Sequence, residues 1–430
     1  MGYCVGYWVN NFDLSPQLMT PSLLHNPFKL LVKIKPVVYL SYISTIYAYG
    51  QKYTNGLYLR QIDKFYKPRG IYYMFAERFT RARKASGLSM QTLATAVGVS
   101  ANAIKKYEHG TAMPSSSNLL KLASALEVRT EYFFRPIKVK LEGVEYRKRA
   151  STPQKILDRI NGDVLDQAER WQELLNFYPD SIKPITPFSL PNTLPDVIDS
   201  YEQLEGVATT MRNEWGLGLN PIHDMIDTLE SKGVMIICTD VETSKKFDGL
   251  AGNINGLPVV VISTAQSGDR QRFTLAHELG HLVLHNRLSE ELDEEKACNH
   301  FAGAFLLPST SLIQHLGKSR TQLEAQELYM LKHEYGISML ASLYRASQSG
   351  VISHQTQKNM FIWFGKQGWR TQEPGEPYPH EVTYLYKQLV YRALSEEYIG
   401  ISKAAELLGV SLSSFHKERK LEVLNAAATN

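Results

Sequence analysis

His277-Glu278-Leu279-Gly280-His281 decides how this chain is read. On a helix, side chains four residues apart leave one face one turn apart, so the two imidazoles can grip a single metal ion. Glu278 stands beside the pair, where a carboxylate can hold and deprotonate a water activated by that metal. Leu275, Ala276, Leu279, Leu282, Val283 and Leu284 fill much of the remaining surface. The helix is therefore expected to be buried, with a polar stripe facing a cavity. The competing reading is a buried helix whose His and Glu hydrogen-bond only each other.

A catalytic zinc takes three protein ligands and keeps one position open. The acidic run Glu290, Glu291, Asp293, Glu294, Glu295 lies just downstream, ahead of an apolar helix. Glu295 is favoured as the third ligand because Cys298 and Ala302, three and seven residues on, are small and let two helices approach. The other acids read as a solvated first turn that complements the helix dipole. His285 is one further turn along, about 5–6 Å down the axis, and reads as a packing or supporting group.

Beyond this motif, 430 residues suggest two to four domains. Apolar content of 43% with 21% charged residues is ordinary for a soluble globular protein. The three cysteines, Cys4, Cys238 and Cys298, form no CxxC pair and suit a reducing cytoplasm. No stretch reaches the roughly 18–20 apolar residues that span a bilayer, so no membrane partner is expected. No signal peptide is read either. The net charge of +4 hides an asymmetry: residues 74–150 carry 14 Lys/Arg against 6 Glu and no Asp. A basic module on an acidic remainder points to a nucleic-acid partner.

Residues 1–73 are rich in Tyr, Asn and Pro and show no sustained period; helical patterning begins at Met74. Met74 is expected to be the true initiator, with residues 1–73 a non-native leader or a disordered arm. From there the pattern gives short helices. One runs over about Phe75–Ser86, one from Ser89 to Val97, one from Ser100 to His109, and one from the serines at 115–117 to about Leu126. A long helical stretch over Thr152–Phe177 follows, then five prolines between Pro179 and Pro195 that mark a linker. Helices are expected over Val197–Glu214 and Pro221–Lys232, and a strand over Gly233–Val241. Two more strands, Leu250–Ile254 and Pro258–Ser263, are joined at the hairpin dipeptide Asn255-Gly256. The metal-motif helix starts near Arg270, another covers about Glu291–Leu307, and helical patterns dominate beyond Leu323.

Residues 75–134 resemble the helix-turn-helix of phage-repressor and Xre-type regulators. The matching residues are Leu88-Ser89, Leu93-Ala94, Gly98-Val99-Ser100, Ile104, Tyr107-Glu108, Gly110 and Pro114. Ala94 is small where two helices cross, Gly98 permits the turn, and Leu93, Val99 and Ile104 supply a shared core. Ser100, Ala101, Asn102, Lys105 and Lys106 are the DNA-binding candidates of the recognition helix: Asn can pair with adenine, Lys with phosphate or guanine. Met90 departs from the pattern, since many relatives place there a Gln that touches the DNA backbone. The run Tyr146-Arg147-Lys148-Arg149 reads equally as a solvated face or a reach to flanking phosphates. Ile401 to Ser411 resembles half of another helix-turn-helix but is short, and is read as a packing helix.

Residues 212–308 resemble the ImmA/IrrE family of metallopeptidases. The likeness is carried by Arg212-Asn213-Glu214-Trp215-Gly216-Leu217-Gly218, by Phe247-Asp248-Gly249, by Asp269 to Ala276 leading into the His-Glu motif, and by Glu295 to Pro308. It implies a small sheet packed on helices, zinc held by His277, His281 and Glu295, Glu278 as general base, and cleavage of a protein such as a repressor.

The expected fold is multidomain. An all-α helix-turn-helix domain (74–137) is followed by a helical connector with the Pro-rich linker (138–211). An α+β zinc-peptidase-like domain (212–318) and a mostly helical C-terminal region (319–430) complete it. The expected function is that of a cytoplasmic regulator that binds a double-stranded DNA operator and uses Zn2+ to cleave a repressor or toxin. The alternative is a non-proteolytic regulator or an antitoxin with a structural or sensory metal. A homodimer is expected from the two-fold symmetry of such operators.

Overall fold

Ser and Asp caps punctuate this chain into short helices. The computed structural model describes residues 69–135, 139, 141–148, 153–182, 184–241 and 247–421. From Ile71 onward the chain forms one compact unit. The helices in order are α1 (Arg69–Ala85), α2 (Met90–Val97), α3 (Ala101–Glu108), α4 (Ser116–Ala125) and, after a short 3-10 turn at Thr130–Phe134, α5 (Gln154–Leu175). Then come α6 (Gln203–Glu214), α7 (Met225–Ser231), α8 (Gly268–Leu284), α9 (Glu294–Leu306) and α10 (Ser309–Leu316). The C-terminal set is α11 (Ala325–Tyr335), α12 (Met339–Gln348), α13 (His354–Lys366), α14 (Leu385–Ser395), α15 (Ile401–Leu407) and α16 (Leu412–Arg419). The strands are β1 (Leu141–Lys148), β2 (Met235–Thr239), β3 (Phe247–Ile254) and β4 (Leu257–Ser263).

Two boundaries differ from the sequence reading. Helix α1 starts at Arg69, five residues ahead of Met74; residues 1–68 of the expected leader lie outside the described residues. Residues 141–148 form strand β1, where a helical connector was expected. The reason is tertiary: β1 pairs antiparallel with β3, Leu141 facing Ile254 and Tyr146 facing Leu250 across a hundred residues of intervening chain. The backbone of Tyr146 to Lys148 is thus part of the sheet, while Arg149 lies outside the described residues.

The sheet order is β1-β3-β4-β2. β3 and β4 make the hairpin expected at Asn255-Gly256, whose φ angles of 51° and 87° are the paired left-handed values of a type I′ turn. β2 joins β4 in parallel. Both strands read as nearly continuous apolar runs because both sheet faces are covered. Alternate residues divide between two cores. Ile236, Ala251, Val260 and Ile262 pack with α6, α8 and α9. Met235, Ile237, Leu250, Ile254, Val259 and Val261 pack with α5 and α14–α16. A third core, around Phe75, Phe79, Leu93, Ile104, Leu122 and Phe133, closes α1–α4. No helix among the described residues is long and apolar enough to cross a membrane.

Candidate metal centre and helix-turn-helix

Helix α8 runs beneath β3 and β4 with fourteen of its own residues withdrawn from solvent, among them His277 and Glu278, both fully buried. Its first turns are fixed by side chains that reach out of the helix. Gln271 Nε2 donates to Ser263 O at 3.0 Å, and Arg270 pairs with Asp248 of β3 at 2.6 Å. Buried Arg272 binds Glu381 Oε1 and Ile222 O, each at 2.5 Å. Further along, Gly249 of β3 lies against the helix. A Cβ there would come 2.5 Å from Thr274 Cγ2 and 3.5 Å from Glu278 Oε1, so only glycine lets the strand approach the Glu278 carboxylate this closely.

His277, His281 and Glu295 converge. The two Nε2 atoms are 3.2 Å apart. Glu295 oxygens lie 3.5 Å from His277 Nε2 and 3.4 Å from His281 Nε2. Ligands about 2.0–2.1 Å from a tetrahedral metal sit about 3.4 Å from one another. The three separations therefore match the edges of such a site, and the donor set of two imidazoles and one carboxylate suits a zinc-type ion.

The opposite ring nitrogens are also engaged. His277 Nδ1 is 3.0 Å from Asn299 Oδ1, and His281 Nδ1 is 3.1 Å from Glu294 Oε1. Such contacts fix ring orientation and leave Nε2 for a metal. Sequence reasoning missed both partners. Asn299 was within reach, since it follows Glu295 by one turn of α9 on the same face. Glu294 had been read only as part of the solvated first turn. His281, Glu294 and Cys298 form a second cluster that shares His281 and is not a separate site. His285 is the C-cap of α8, with φ −52° and ψ 126°, and belongs to neither cluster.

Helix α9 packs against α8 at Gly280 and is tied to α6 at its other end. A Cβ on Gly280 would lie 3.2 Å from Cys298 Cα. At its far end, Arg212 of α6 donates to Phe305 O and Asn220 O at 2.5 Å and to Gly218 O at 2.7 Å. Burial brings the Arg212 guanidinium down to about 10, which leaves it charged at neutral pH.

In the N-terminal core, Gly98 turns with φ 77° and Ser100 caps α3, accepting from Ala103 N at 3.1 Å. Asn102, Lys105 and Lys106 are exposed and Ala101 is half-buried. Arg83 reaches from α1 to Glu108 at 2.5 Å and to Leu88 O at 2.8 Å, locking α3 to the scaffold. Met90 is half-buried and packs on the core of these helices, an apolar role.

The fold and the two sites define a class: a helix-turn-helix domain of the DNA-binding regulator kind joined to a metallopeptidase-family domain. Residues 80–133 match the helix-turn-helix family model, and residues 229–347 match that of the IrrE N-terminal-like domain. Over these segments the chain is similar to the helix-turn-helix and IrrE N-terminal-like domain families. Among curated relatives, it is 40% identical over 52 residues to the cryptic phage CTXphi transcriptional repressor RstR of Vibrio cholerae, covering 12% of this chain and 46% of that protein. It is 29% identical over 104 residues to the SPbeta prophage-derived uncharacterized HTH-type transcriptional regulator YonR of Bacillus subtilis, covering 24% of this chain and 92% of that one. It is 43% identical over 58 residues to an uncharacterized transcriptional regulator in the ATPase CF(0) region of Rhodospirillum rubrum, covering 14% and 54%. The chain thus spans about half the length of the first of these relatives.

Proposed function

We propose that this protein is a DNA-binding transcriptional regulator whose second domain is a zinc-dependent endopeptidase acting on a regulatory protein. The observation that carries the reading is the meeting of His277 Nε2, His281 Nε2 and a Glu295 carboxylate at separations of 3.2–3.5 Å. Zinc held there would polarise a substrate carbonyl and bring water towards a pKa of ~7. Glu278, buried beside the pair, is the base that takes the proton of the attacking water and returns it to the leaving amine. Asn299 and Glu294 hold the two imidazoles in register.

At the other end, Ser100, Ala101, Asn102, Lys105 and Lys106 meet a double-stranded operator, Asn102 at a base edge and the lysines at phosphates. The substrate class is a repressor or a toxin encoded with the regulator, and a homodimer suits a two-fold operator. Cys238 and Cys298, which form no disulfide among the described residues, are in keeping with a reducing, cytoplasmic setting.

The test is a comparison of wild type with Glu278→Gln. The variant is expected to retain an uncut protein in a pull-down, and the wild type is expected to yield fragments of the same protein. A Glu278→Gln protein that regulates its promoter like wild type and captures nothing uncut would favour a non-proteolytic regulator. A stable complex of both proteins with an intact toxin would favour an antitoxin.

A further inference from the structure

Helices α15 and α16 repeat α2 and α3 at a constant offset of 311 residues. Ala405 is buried where Ala94 is, and Phe415 is fully buried where Ile104 is. Gly409 turns with φ 69° in place of Gly98 at 77°. Val410 N donates to Ala405 O at 3.0 Å, as Val99 N donates to Ala94 O at 3.0 Å. Ser411 caps α16 by accepting from Ser414 N at 3.1 Å, as Ser100 accepts from Ala103 N at 3.1 Å. The segment read from sequence as a packing helix is therefore the first half of a complete helix-turn-helix, braced from behind by α14.

Its second helix has the surface of a recognition helix. Ser413, His416, Lys417, Arg419 and Lys420 are exposed. The lone acid of α16, Glu418, faces the scaffold and is neutralised there by Lys387 Nζ at 2.6 Å and by the Tyr391 hydroxyl at 2.8 Å. Glu396 and Glu397 lie in the turn ahead of α15, not on α16. The exposed side chains at Ser413, His416, Lys417, Arg419 and Lys420 thus make the outward face of α16 basic.

The two units also share a mount. Arg78 and Arg81 of α1 bind Glu169 of α5, and Lys403 of α15 binds Glu173 one turn further along the same helix. Arg135, at the end of the first unit, pairs with Glu406 of α15. Both helix-turn-helix units are therefore ion-paired to the same helix, α5.

We infer that α15–α16 is a second DNA-binding element, whose α16 docks on duplex DNA through Ser413, His416, Lys417 and Lys420, so that one chain engages two segments of an operator. Charge complementarity with the phosphate backbone selects the partner, and the shared mount on α5 sets the spacing between the two segments.

The experiment takes the full chain and a randomised pool of DNA duplexes, selects the bound sequences, and measures affinity at several salt concentrations. Lys417→Glu with Lys420→Glu is expected to lower affinity for the selected duplex at least tenfold and to reduce the salt slope by about 2, since each lost phosphate contact removes roughly 0.9. A variant carrying Asn102→Ala, Lys105→Glu and Lys106→Glu is expected to keep residual binding that the Lys417/Lys420 substitutions then abolish. All of these side chains are exposed, and an unchanged melting temperature verifies the fold. Unchanged affinity and slope in the Lys417/Lys420 variant overturn the inference, as does loss of all binding with the first-unit substitutions alone. Capture of a protein by α16 in place of DNA overturns it too.

Discussion

Gly280 and Cys298 are the point at which the two helices carrying the histidines and Glu295 touch: a Cβ on Gly280 would stand 3.2 Å from Cys298 Cα. The distance from Glu295 to the imidazoles is set there: Gly280 adjoins His281, and Cys298 follows Glu295 by about one turn. Gly280→Val is therefore expected to push α9 outward. We predict a 10- to 100-fold loss of zinc affinity, of the size seen when groups around a metal are displaced, with about 1–3 kcal/mol lost from overpacking. Chelator competition and urea denaturation read the two effects.

The buried pair of Arg272 and Glu381 ties α8 to the loop ahead of α14, and Glu381 Oε2 also accepts from Met225 N at 2.8 Å and Ile226 N at 3.1 Å at the start of α7. Removing the carboxylate leaves a buried guanidinium and two backbone donors without that partner. Glu381→Ala is expected to cost about 3–5 kcal/mol, measured as a lower denaturation midpoint. Stability within 1 kcal/mol of wild type would contradict this role (about a fivefold change in the folding equilibrium).

Burial pushes Glu230 up to about 7, with the Thr383 hydroxyl donating to it at 2.7 Å. An acid raised in the folded state contributes stability that is complete below its unfolded value and is lost as pH rises through the folded one. The window runs from 4.5 to about 7. Glu230→Gln is expected to flatten the fall in stability across that range, by an amount on the order of 3 kcal/mol. Equal slopes for variant and wild type between these limits would count against it.

Asn102 is exposed near the start of α3, and its proposed role is to read a base edge. Asn102→Ala is expected to weaken binding to the cognate duplex by about 1–3 kcal/mol and to relax specificity at one position. Lys105→Ala is expected to weaken all sequences alike. Competition with mutated duplexes separates the two.

Much of the site could be read from the chain because its signals are local. The four-residue spacing of His277 and His281 and the Asn255-Gly256 turn each act over a few residues. Glu295 followed from the small Cys298 and Ala302, a packing argument that still spans only two turns of helix. Long-range pairing was the part sequence did not display. Strand β1 meets β3 about a hundred residues away, and Leu141 to Lys148 lacks a clear apolar alternation of its own. Arg272 and Glu381 are 109 residues apart. The second helix-turn-helix was half seen: Gly409, Val410 and Ser411 were noticed, but the core position that completes it, Phe415, lies beyond the stretch first compared.

The central claim is that His277, His281 and Glu295 together hold one zinc ion. Its most direct test is zinc content and affinity by chelator competition for wild type, His281→Ala, Glu295→Ala and Glu294→Ala. The account predicts one zinc per wild-type chain, loss of tight binding in the first two variants, and a smaller loss for Glu294→Ala. Zinc retained with unchanged affinity in Glu295→Ala, or absent from wild type supplied with the metal, would contradict it.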